Sequence, residues 1–346
     1  MQRKRLNGDD AKSDRAESKG NYFNKVDSKI EFIKSGCVLV DCMLGGGWPL
    51  GRMINLVGDK STGKTLMAIE ACANFTRQYP DGFIWYREAE AAFDEGYAEA
   101  LGLPVDKVDF GPDGLASSWE TVEDIFEDLQ RCCAQAKEAG KPGLFIIDSL
   151  DALSSRAEIG RSIDEGSYGM EKQKLLGQLF RRLTRQMKEA RICLFIVSQV
   201  RDAVGVMGFG PKTRRSGGRA MDFYATHIVY LTHLKQLNRT VGGIKRPDAI
   251  QVKAKCTKNK ISMPFRECEF VLRFGYGIDE LSAAVEFLEL AKATKEIDDY
   301  DKNYIKRTEQ LGDSDYKKQL VMLRKAVRRV WRSVEEGFVP TRRKYT

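Results

Sequence analysis

Residues 58–65 read Gly-Asp-Lys-Ser-Thr-Gly-Lys-Thr, which fits the phosphate-loop pattern G-x-x-x-x-G-K-[ST]. The two glycines let the backbone curl, so that successive amide N–H groups point inward at a triphosphate. Lys64 places a positive charge at the outer phosphates, and the Thr65 hydroxyl can serve as a ligand for Mg²⁺. The pattern predicts a nucleoside-triphosphate site, with ATP and Mg²⁺, built from Gly58, Asp59, Lys60, Ser61, Thr62, Gly63, Lys64 and Thr65.

The segments on either side of this loop have the character that the motif requires. Residues 53–57 form a short apolar run that is typical of a buried strand, and residues 66–75 have the composition of a helix. A helix that begins at the end of the loop directs the positive end of its dipole at the phosphates. This context favours nucleotide binding over a chance glycine turn.

The composition is that of a globular chain. Its 346 residues are 42% hydrophobic and 31% charged, and no stretch is long and apolar enough to span a bilayer. The first ten residues contain no apolar segment, which argues against a secretory signal. The eight cysteines lack metal-binding spacing, so we expect reduced, buried thiols in a cytoplasmic protein. The net charge of +8 permits a polyanionic partner without requiring one.

Short apolar runs alternate with helical patterns through most of the chain. Residues 83–86, 144–147 and 192–197 are typical of strands buried on both faces. Helical spacing relates two sets of side chains between them, Trp119, Val122, Phe126, Leu129 and Cys133, then Leu175, Leu179 and Leu183. This order predicts an α/β fold with a mostly parallel, twisted sheet flanked by helices. Further strands, with antiparallel pairing, are expected at residues 227–231, 249–253 and 270–274.

Carboxylates follow two of the predicted strands. Asp148 comes directly after one of them, so its side chain is expected at the carboxyl edge of the sheet, where open α/β folds bind ligands. There it could ligate the same Mg²⁺ as Thr65. Glu88 and Glu90 follow the other strand, and either could act as the general base toward an attacking water. The pattern alone does not choose between the two glutamates.

A polar amide and a basic, glycine-rich segment follow the strand at residues 192–197. Gln199 is placed to bond the γ-phosphate and to move the next loop when the phosphate leaves, with a simple strand cap as the alternative. Residues 201–219 contain five glycines and five basic residues, a composition that suits contacts with nucleic-acid phosphates. A second glycine-rich stretch covers residues 160–169. Surface lid loops are the alternative for both stretches.

Several ordered segments together resemble the RecA family of DNA strand-exchange recombinases. The resemblance covers about residues 33–278 and depends on the order and spacing of its blocks, since many are weak individually. The blocks are residues 45–52, 58–65, 89–97, 146–149, 157–159, 178–181, 198–201, 205–207, 217–218, 223–224 and 258–265. The resemblance implies a RecA-like P-loop ATPase core.

The resemblance also implies roles for individual residues. It makes Glu90 the water-activating base, and it makes Asp94 and Tyr97 the contacts of the adenine. Gln199 is implied to couple the γ-phosphate to the second DNA-binding loop, and Val204 matches a position where the family wedges an aliphatic side chain between bases. The residues expected to contact single-stranded DNA are Arg181, Arg201, Val204, Gly217, Gly218 and Arg219.

Lys258 and Lys260 match a pair that, in the family, reaches across a subunit interface to the neighbour's ATP. Cations supplied by a second protomer stabilise phosphoryl charge only when protomers stack, much as an arginine finger does. Without the resemblance, two exposed lysines on a hairpin would be the preferred interpretation.

The sequence departs from the family pattern at four places. Ser198 stands where bacterial members usually have Asn, and residues 215–216 stand where threonines are common. The segment before Ile30 lacks a clear amphipathic helix for docking onto a neighbour, and the end of the chain is basic where many bacterial members are acidic. These departures are typical of a divergent branch, such as a phage-encoded one.

Beyond about Ile278 the pattern is helical only. In the last helix one face carries the apolar residues Leu320, Leu323, Val327, Val330, Trp331 and Val334. The remaining surface is crowded with Lys317, Lys318, Arg324, Lys325, Arg328, Arg329 and Arg332. A docked helix with a solvated basic face and a helix that contacts nucleic acid are equally compatible with this pattern.

The expected organisation has three parts: a polar arm over residues 1–30 with an oligomerisation role, a core over 31–278 with DNA-binding loops at about 160–169 and 201–219, and a basic helical region over 279–346. We expect an ATP-dependent recombinase that forms a filament on single-stranded DNA, pairs it with homologous duplex DNA and hydrolyses ATP in response to DNA. Further expected partners are a loading mediator and a single-strand-binding protein. No association with a membrane is expected. The nucleoid, or the host cytoplasm for a virus-encoded protein, is the expected location. A hexameric helicase-type motor and a non-catalytic mediator paralogue are the alternatives.

Overall fold

The computed structural model describes residues 30–90, 93–160, 169–202, 213–215, 218–340 and 342. The strands are β1 (Phe32–Ile33), β2 (Trp48–Pro49), β3 (Met53–Gly58), β4 (Phe83–Glu88), β5 (Val108–Asp109), β6 (Gly143–Asp148), β7 (Ile192–Asp202), β8 (Thr213–Arg215), β9 (His227–Val241), β10 (Ile244–Asn259), β11 (Glu267–Arg273) and β12 (Gly277–Asp279). The helices are α1 (Val38–Leu44), α2 (Lys64–Gln78), α3 (Glu95–Ala100), α4 (Val122–Ala139), α5 (Arg156–Ile159), α6 (Gly169–Ala190), α7 (Gly218–Tyr224), α8 (Glu280–Leu290), α9 (Tyr304–Glu309) and α10 (Asp313–Gly337). Short 3-10 helices occupy Val105–Lys107, Gly114–Ala116 and Thr294–Glu296.

One large sheet organises the chain. Its strands follow the order β12-β11-β10-β9-β3-β7-β6-β4-β5, with β8 paired to β7 outside this path. Every pairing from β9 to β5 is parallel. The pairings from β9 to β12 are antiparallel. The predicted α/β fold, with a mostly parallel sheet flanked by helices, is therefore confirmed.

The central strands send alternate side chains into two separate cores. On β6, Leu144 and Ile146 face the core that contains α1, α2, α8 and α10. Phe145 and Ile147 on the same strand face the core that contains α4, α6 and α7. Because side chains alternate along a strand, helices on both faces bury every position. This double burial explains why these strands read as uninterrupted apolar runs in the sequence.

The buried face of α6 differs by one residue from the predicted stripe. The side chains in the core are Leu176, Phe180, Leu183 and Met187, while the predicted Leu175 and Leu179 are only partly buried at its edge. Spacings of four, three and four residues keep one side of a helix facing the core, whereas steps of four alone drift around it. The spacing of leucines alone therefore predicts the row of side chains next to the one that is buried.

The β9–β10 hairpin is longer than the predicted strands. Its outer half leaves the sheet as a two-stranded ribbon that turns at Gly242 and Gly243, where φ is +57° and +81°. Val241 and Ile244, paired across the strands next to the turn, are 65% and 61% exposed. Because neither face of the ribbon is covered, its residues show no apolar alternation that a sequence pattern could detect.

The last helix docks on the core, as its apolar stripe predicts. Leu323, Ala326 and Val327 of α10 are buried against α1 and α8, whereas the predicted Val334 is 43% exposed. Two ion pairs reinforce the contact, one between Arg324 and Glu280 and one between Arg266 and Glu335. The second pair is the more buried, with side chains 10% and 15% exposed, and it links α10 to the segment between β10 and β11.

Two expectations from composition can be compared with the structure. All eight cysteines are free thiols, and all but the half-buried Cys42 are buried, which agrees with the expected reduced state. Within the described ranges, no helix combines the length and the apolar character needed to cross a membrane.

Candidate functional site

The carboxyl ends of four neighbouring parallel strands, β3, β7, β6 and β4, lie at one edge of the sheet. Gly58 at the end of β3 pairs with Gln199 of β7, and Glu88 at the end of β4 pairs with Asp148 at the end of β6. In open α/β sheets this edge is where ligands bind. The phosphate loop, the predicted metal carboxylate, the predicted phosphate sensor and a candidate base therefore share one edge.

The phosphate loop joins β3 to α2 as the motif predicts. Gly63 is the residue before the helix, in a left-handed conformation with φ +86°. A Cβ at this position would lie 2.2 Å from Cδ1 of Leu272, so both the backbone angle and the space favour glycine. The hydroxyl of Thr62 donates to the carbonyl of Asp59 at 2.9 Å and closes the loop on itself.

Lys64 lies over the loop. Its ammonium donates to the Asp59 carbonyl at 2.7 Å. Partial burial lowers the pKa of Lys64, while the nearby carboxylates Asp148 and Glu90 oppose that shift. The positive charge is thus held beside the loop amides, where the outer phosphates of a bound triphosphate would lie.

Asp148 and Thr65 provide adjacent oxygens for a metal ion. Thr65 hydrogen-bonds to Asp148, and the Tyr86 hydroxyl donates to Oδ2 of Asp148 at 2.7 Å. Burial raises the pKa of Asp148, and these two hydrogen bonds oppose the shift. A hydroxyl and a carboxylate suit Mg²⁺. Within the described part of the chain, no group of three or more His, Cys, Asp or Glu side chains is placed to hold a metal ion.

Glu90 is the glutamate that reaches the centre of this edge. Its Oε1 accepts hydrogen bonds from the Ser149 hydroxyl and from Nε2 of Gln199, the latter at 2.8 Å. Glu88 instead accepts the backbone N–H of Glu90 at 2.9 Å, which holds the turn after β4. The contacts therefore separate the two glutamates that the sequence pattern left equivalent.

Asp94 and Tyr97, the residues implied to contact adenine, lie at the start of α3. Asp94 caps this helix by accepting the backbone N–H of Tyr97 at 2.9 Å. The sequence motifs assigned no role to two aromatic residues in the turn between β11 and β12, Phe274 and Tyr276, which are 58% and 55% exposed. Leu272, two residues earlier, touches Gly63. Two aromatic residues separated by one glycine directly after an apolar strand were the available signal.

Lys258 and Lys260 lie at the opposite edge of the sheet from the phosphate loop of the same chain. Lys258 is level with Ile228, which pairs with Asn55 near the amino end of β3. The ammonium groups donate to the last carbonyls of α7, with Lys260 reaching Phe223 O at 2.7 Å and Lys258 contacting Asp222 O and Phe223 O. These lysines are therefore not simply solvated, because they hold the carboxyl end of a helix, where cations are favoured.

The predicted DNA contacts are only partly described. Arg181 is exposed on α6, and Gly218 begins α7 with φ +48°, packed against the carboxamide of Gln173. Arg201 and Arg219 belong to β7 and α7, where only their backbone is described. Val204, Gly217, residues 161–168 of the first loop, most of the second loop and the arm up to residue 29 lie outside the described residues.

Comparison with known proteins identifies the relatives of this chain. A sequence model of the RecA N-terminal domain matches residues 16–279. The chain belongs to the RecA family. Protein RecA of Limosilactobacillus reuteri is 32% identical over 288 residues, which cover 83% of this chain and 74% of that protein. Protein RecA 1 of Myxococcus xanthus is 33% identical over 290 residues, covering 83% and 78% of the two chains. Protein RecA of Borrelia hermsii is 30% identical over 269 residues, covering 76% and 70%.

A half-buried carboxyl group in this RecA-family chain lies beside one of the predicted adenine contacts, Tyr97. Glu70 of α2 accepts the Ile278 N–H at 3.4 Å and lies beside Gly277 and Tyr97. Burial raises the pKa of Glu70 from 4.5 to about 7. The folded chain therefore binds more protons than the unfolded chain between these values, so the contribution of Glu70 to stability falls as pH rises from 4.5 to 7.

We predict that Glu70→Gln stabilises the protein above pH 7 and has little effect near pH 4.5. The expected gain at pH 8 is on the order of 2 kcal/mol, because the amide cannot ionise in its buried site. Denaturant unfolding of both proteins at pH 5 and pH 8 measures the difference. Glu99→Gln, at an exposed position of α3, is the matched control and should be neutral at both pH values. Equal effects of Glu70→Gln at the two pH values would contradict the assignment.

Proposed function

We propose that this chain is a Mg²⁺- and ATP-dependent recombinase that assembles on single-stranded DNA and exchanges strands with a homologous duplex. At family level the chain is a RecA-type recombinase. The finer proposal is carried by one observation, the hydrogen bond from Gln199 to Glu90 at the strand edge that also holds the phosphate loop and Asp148. It joins the predicted base to the residue that leads into the second predicted DNA-binding loop.

In this proposal the side chains at the carboxyl edge of the sheet have separate roles in ATP hydrolysis. Lys64 exchanges the Asp59 carbonyl for phosphate oxygens, and the loop amides bind the remaining phosphate charge. Ser149 and Gln199 both donate to Oε1 of Glu90, so Oε2 is the oxygen that takes the proton from water. Thr65 and Asp148 would hold Mg²⁺, which would supply positive charge against the phosphates.

The binding of the adenine ring is assigned to the residues around Tyr97. In the proposal Asp94 and Tyr97 contact the adenine, and the exposed ring of Phe274 offers an apolar face for the base. The proximity of Leu272 to Gly63 supports this placement, because it brings the β11–β12 turn close to the phosphate loop.

Assembly completes the proposed site. Lys258 lies about 10 Å along the sheet from the start of its own phosphate loop, because it is level with Asn55, which is three strand residues of about 3.3 Å each before Gly58. Lys260 follows Lys258 by two residues on the side away from the loop. A neighbouring protomer is then the acceptor that they can serve, which makes ATP part of the interface. The proposal keeps residues 1–30 as an oligomerisation arm, 31–278 as the ATPase core and 279–346 as a basic helical region. The proposed location of the protein is the cytoplasm.

The proposal predicts ATP hydrolysis that depends on single-stranded DNA, together with strand exchange. Both activities should be lost in Lys64→Ala, because the outer phosphates lose their cation, while the fold is retained. Steady-state ATPase assays with and without single-stranded DNA, and a strand-exchange assay on a homologous duplex, test it. Strong ATPase activity that does not depend on single-stranded DNA would contradict the proposal. Closed rings in electron micrographs with DNA would favour the helicase-type motor instead.

The two glutamates after β4 should have different effects on catalysis. We predict that Glu90→Gln lowers kcat by about 100-fold or more, because the general base is lost, with little change in ATP affinity. Glu88→Gln retains an oxygen for the Glu90 N–H and should have a small effect, which makes it the matched control. DNA-stimulated ATPase assays and titration with a fluorescent nucleotide measure the two quantities. A larger loss of kcat in Glu88→Gln would reverse the assignment.

Mixing two inactive variants tests whether the lysines act on a neighbour's nucleotide. Lys258→Ala retains an intact loop and base but lacks the cation, whereas Glu90→Gln lacks the base and supplies the cation. We predict that an equimolar mixture on DNA regains roughly a quarter of the unmodified ATPase rate, since head-to-tail contacts pair complementary halves at random.

One control variant and one contradicting outcome complete the mixing experiment. Lys302→Ala, at an exposed position before α9, should behave as the unmodified protein. If the mixture shows only the sum of the separate variant activities, Lys258 does not act across the interface.

A further inference from the structure

Asp151 lies in the turn that follows β6, beside the candidate site, and neither the motifs nor the family resemblance assigned it a role. The turn is fixed against β7, because the Leu150 N–H donates to the Val197 carbonyl at 3.0 Å and the Ala152 N–H donates to the Ser149 carbonyl at 3.2 Å. The Asp151 side chain is half-buried. It therefore sits on a segment with a defined position relative to the sheet.

One carboxylate oxygen of Asp151 makes a specific contact with the phosphate-sensor residue. Oδ2 accepts the backbone N–H of Gln199 at 2.7 Å. The side chain of the same Gln199 donates to Glu90 at 2.8 Å. The main chain and the side chain of Gln199 are thus each held by a carboxylate, and hydrogen bonds to charged acceptors are about twice as strong as neutral ones.

The hydrogen bond between Asp151 and Gln199 lies just beyond the point where the pairing of β6 with β7 ends. The β6–β7 ladder pairs residues only up to Ile147 with Ile196, and β6 then turns away. Leu150 and Asp151 continue the hydrogen bonding along this side of β7, the first through its backbone and the second through its side chain. Directly after Gln199, β7 pairs with β8 on the approach to the second predicted DNA-binding loop.

Asp151 also adds negative charge to the phosphate side of the site. It is one of the carboxylates that act on the Lys64 ammonium, together with Asp148, Glu90 and Asp59. A carboxylate oxygen accepts hydrogen bonds, as the oxygens of a phosphate do, so Asp151 is not suited to bind a phosphate directly. Its influence on the reaction runs through the backbone of Gln199.

We propose that Asp151 is a positioning residue that holds the main chain of Gln199 and thereby couples the γ-phosphate to the segment after β7. This inference rests on the proposed function for its consequences, though not for the contact itself. With its N–H held by Asp151, Gln199 pivots about that point when its carboxamide changes partner, so the movement passes to the residues that follow in β7. Without that anchor, movement of the carboxamide is absorbed by its own backbone and does not reach the DNA-binding loop.

Asp151→Ala and Asp151→Asn separate the hydrogen bond from the charge. Asn keeps a side-chain oxygen that accepts the Gln199 N–H, whereas Ala removes the acceptor. We expect Asp151→Ala to lower DNA-stimulated kcat about tenfold, the loss typical of one hydrogen bond to a charged group, with the KM for ATP nearly unchanged. The ratio of single-stranded DNA affinities with an ATP analogue and with ADP should fall by a similar factor. Asp151→Asn should recover most of both losses, and Asp81→Ala, in the exposed turn before β4, is the surface control.

Amide hydrogen exchange provides a readout that does not depend on recombination. In Asp151→Ala, exchange at the Gln199 amide should accelerate about tenfold without nucleotide or DNA, and in Asp151→Asn it should remain near the unmodified rate. Unchanged exchange in Asp151→Ala would overturn the proposal, as would an Asn variant as defective as Ala in DNA coupling. If the unmodified protein shows no DNA-dependent ATPase, the proposed function fails, while the exchange experiment still decides whether Asp151 holds Gln199.

Discussion

The registered pairing of the central parallel strands is the constraint on which the site depends. The side-chain period of a strand is two, so a slip of one residue would turn Asp148 or Gln199 to the other face of the sheet. Gly58 pairs with Gln199 and Glu88 pairs with Asp148. The β6–β7 register, Ile147 with Ile196, sets the first pair two residues beyond the second, so both pairs lie at the same edge and on the same face of the sheet. The register is fixed by burial far from the chemistry, because alternate residues of β6 and β7 fill two different cores. Packing on both faces of the sheet therefore determines which side chains meet at its edge.

The same double burial determines how much of the fold the sequence predicts. The apolar runs that became β3, β4, β6 and β7 were identified because helices cover both of their faces. The outer half of the β9–β10 hairpin was missed because backbone pairing, not burial, holds it together, and pairing leaves no periodic signal. On α6 the helix was identified but the buried row was not, since Leu176 and Leu175 are chemically identical and only the contact with α4 distinguishes them.

At the site, the sequence predicts residues whose position follows from the end of an element. The phosphate loop begins at the last residue of β3, and Asp148 is the last residue of β6, so their locations follow once the strands are recognised. The choice between Glu88 and Glu90 depends on how the chain turns after β4, and only the contacts of Glu90 with Ser149 and Gln199 distinguish them. Asp151 left no pattern, because its partner is a backbone N–H from a strand 48 residues later in the chain.

The contacts of Lys258 and Lys260 add a physical reason why assembly and DNA binding would depend on each other in the proposed function. Both ammonium groups are bound to carbonyls at the end of α7, whose first residue, Gly218, ends the glycine-rich segment predicted to contact DNA. In the proposed function, a neighbour's bound phosphate would carry full negative charge, whereas a terminal carbonyl carries only partial charge, so the phosphate would compete effectively for the same cations. Each lysine that moves to the phosphates leaves a carbonyl of α7 to find another donor. A nucleotide at the interface would thus act on α7 from its carboxyl end. Gln199 would act from β7, on the other side of the predicted DNA-binding loop in the sequence. The loop would therefore respond to both.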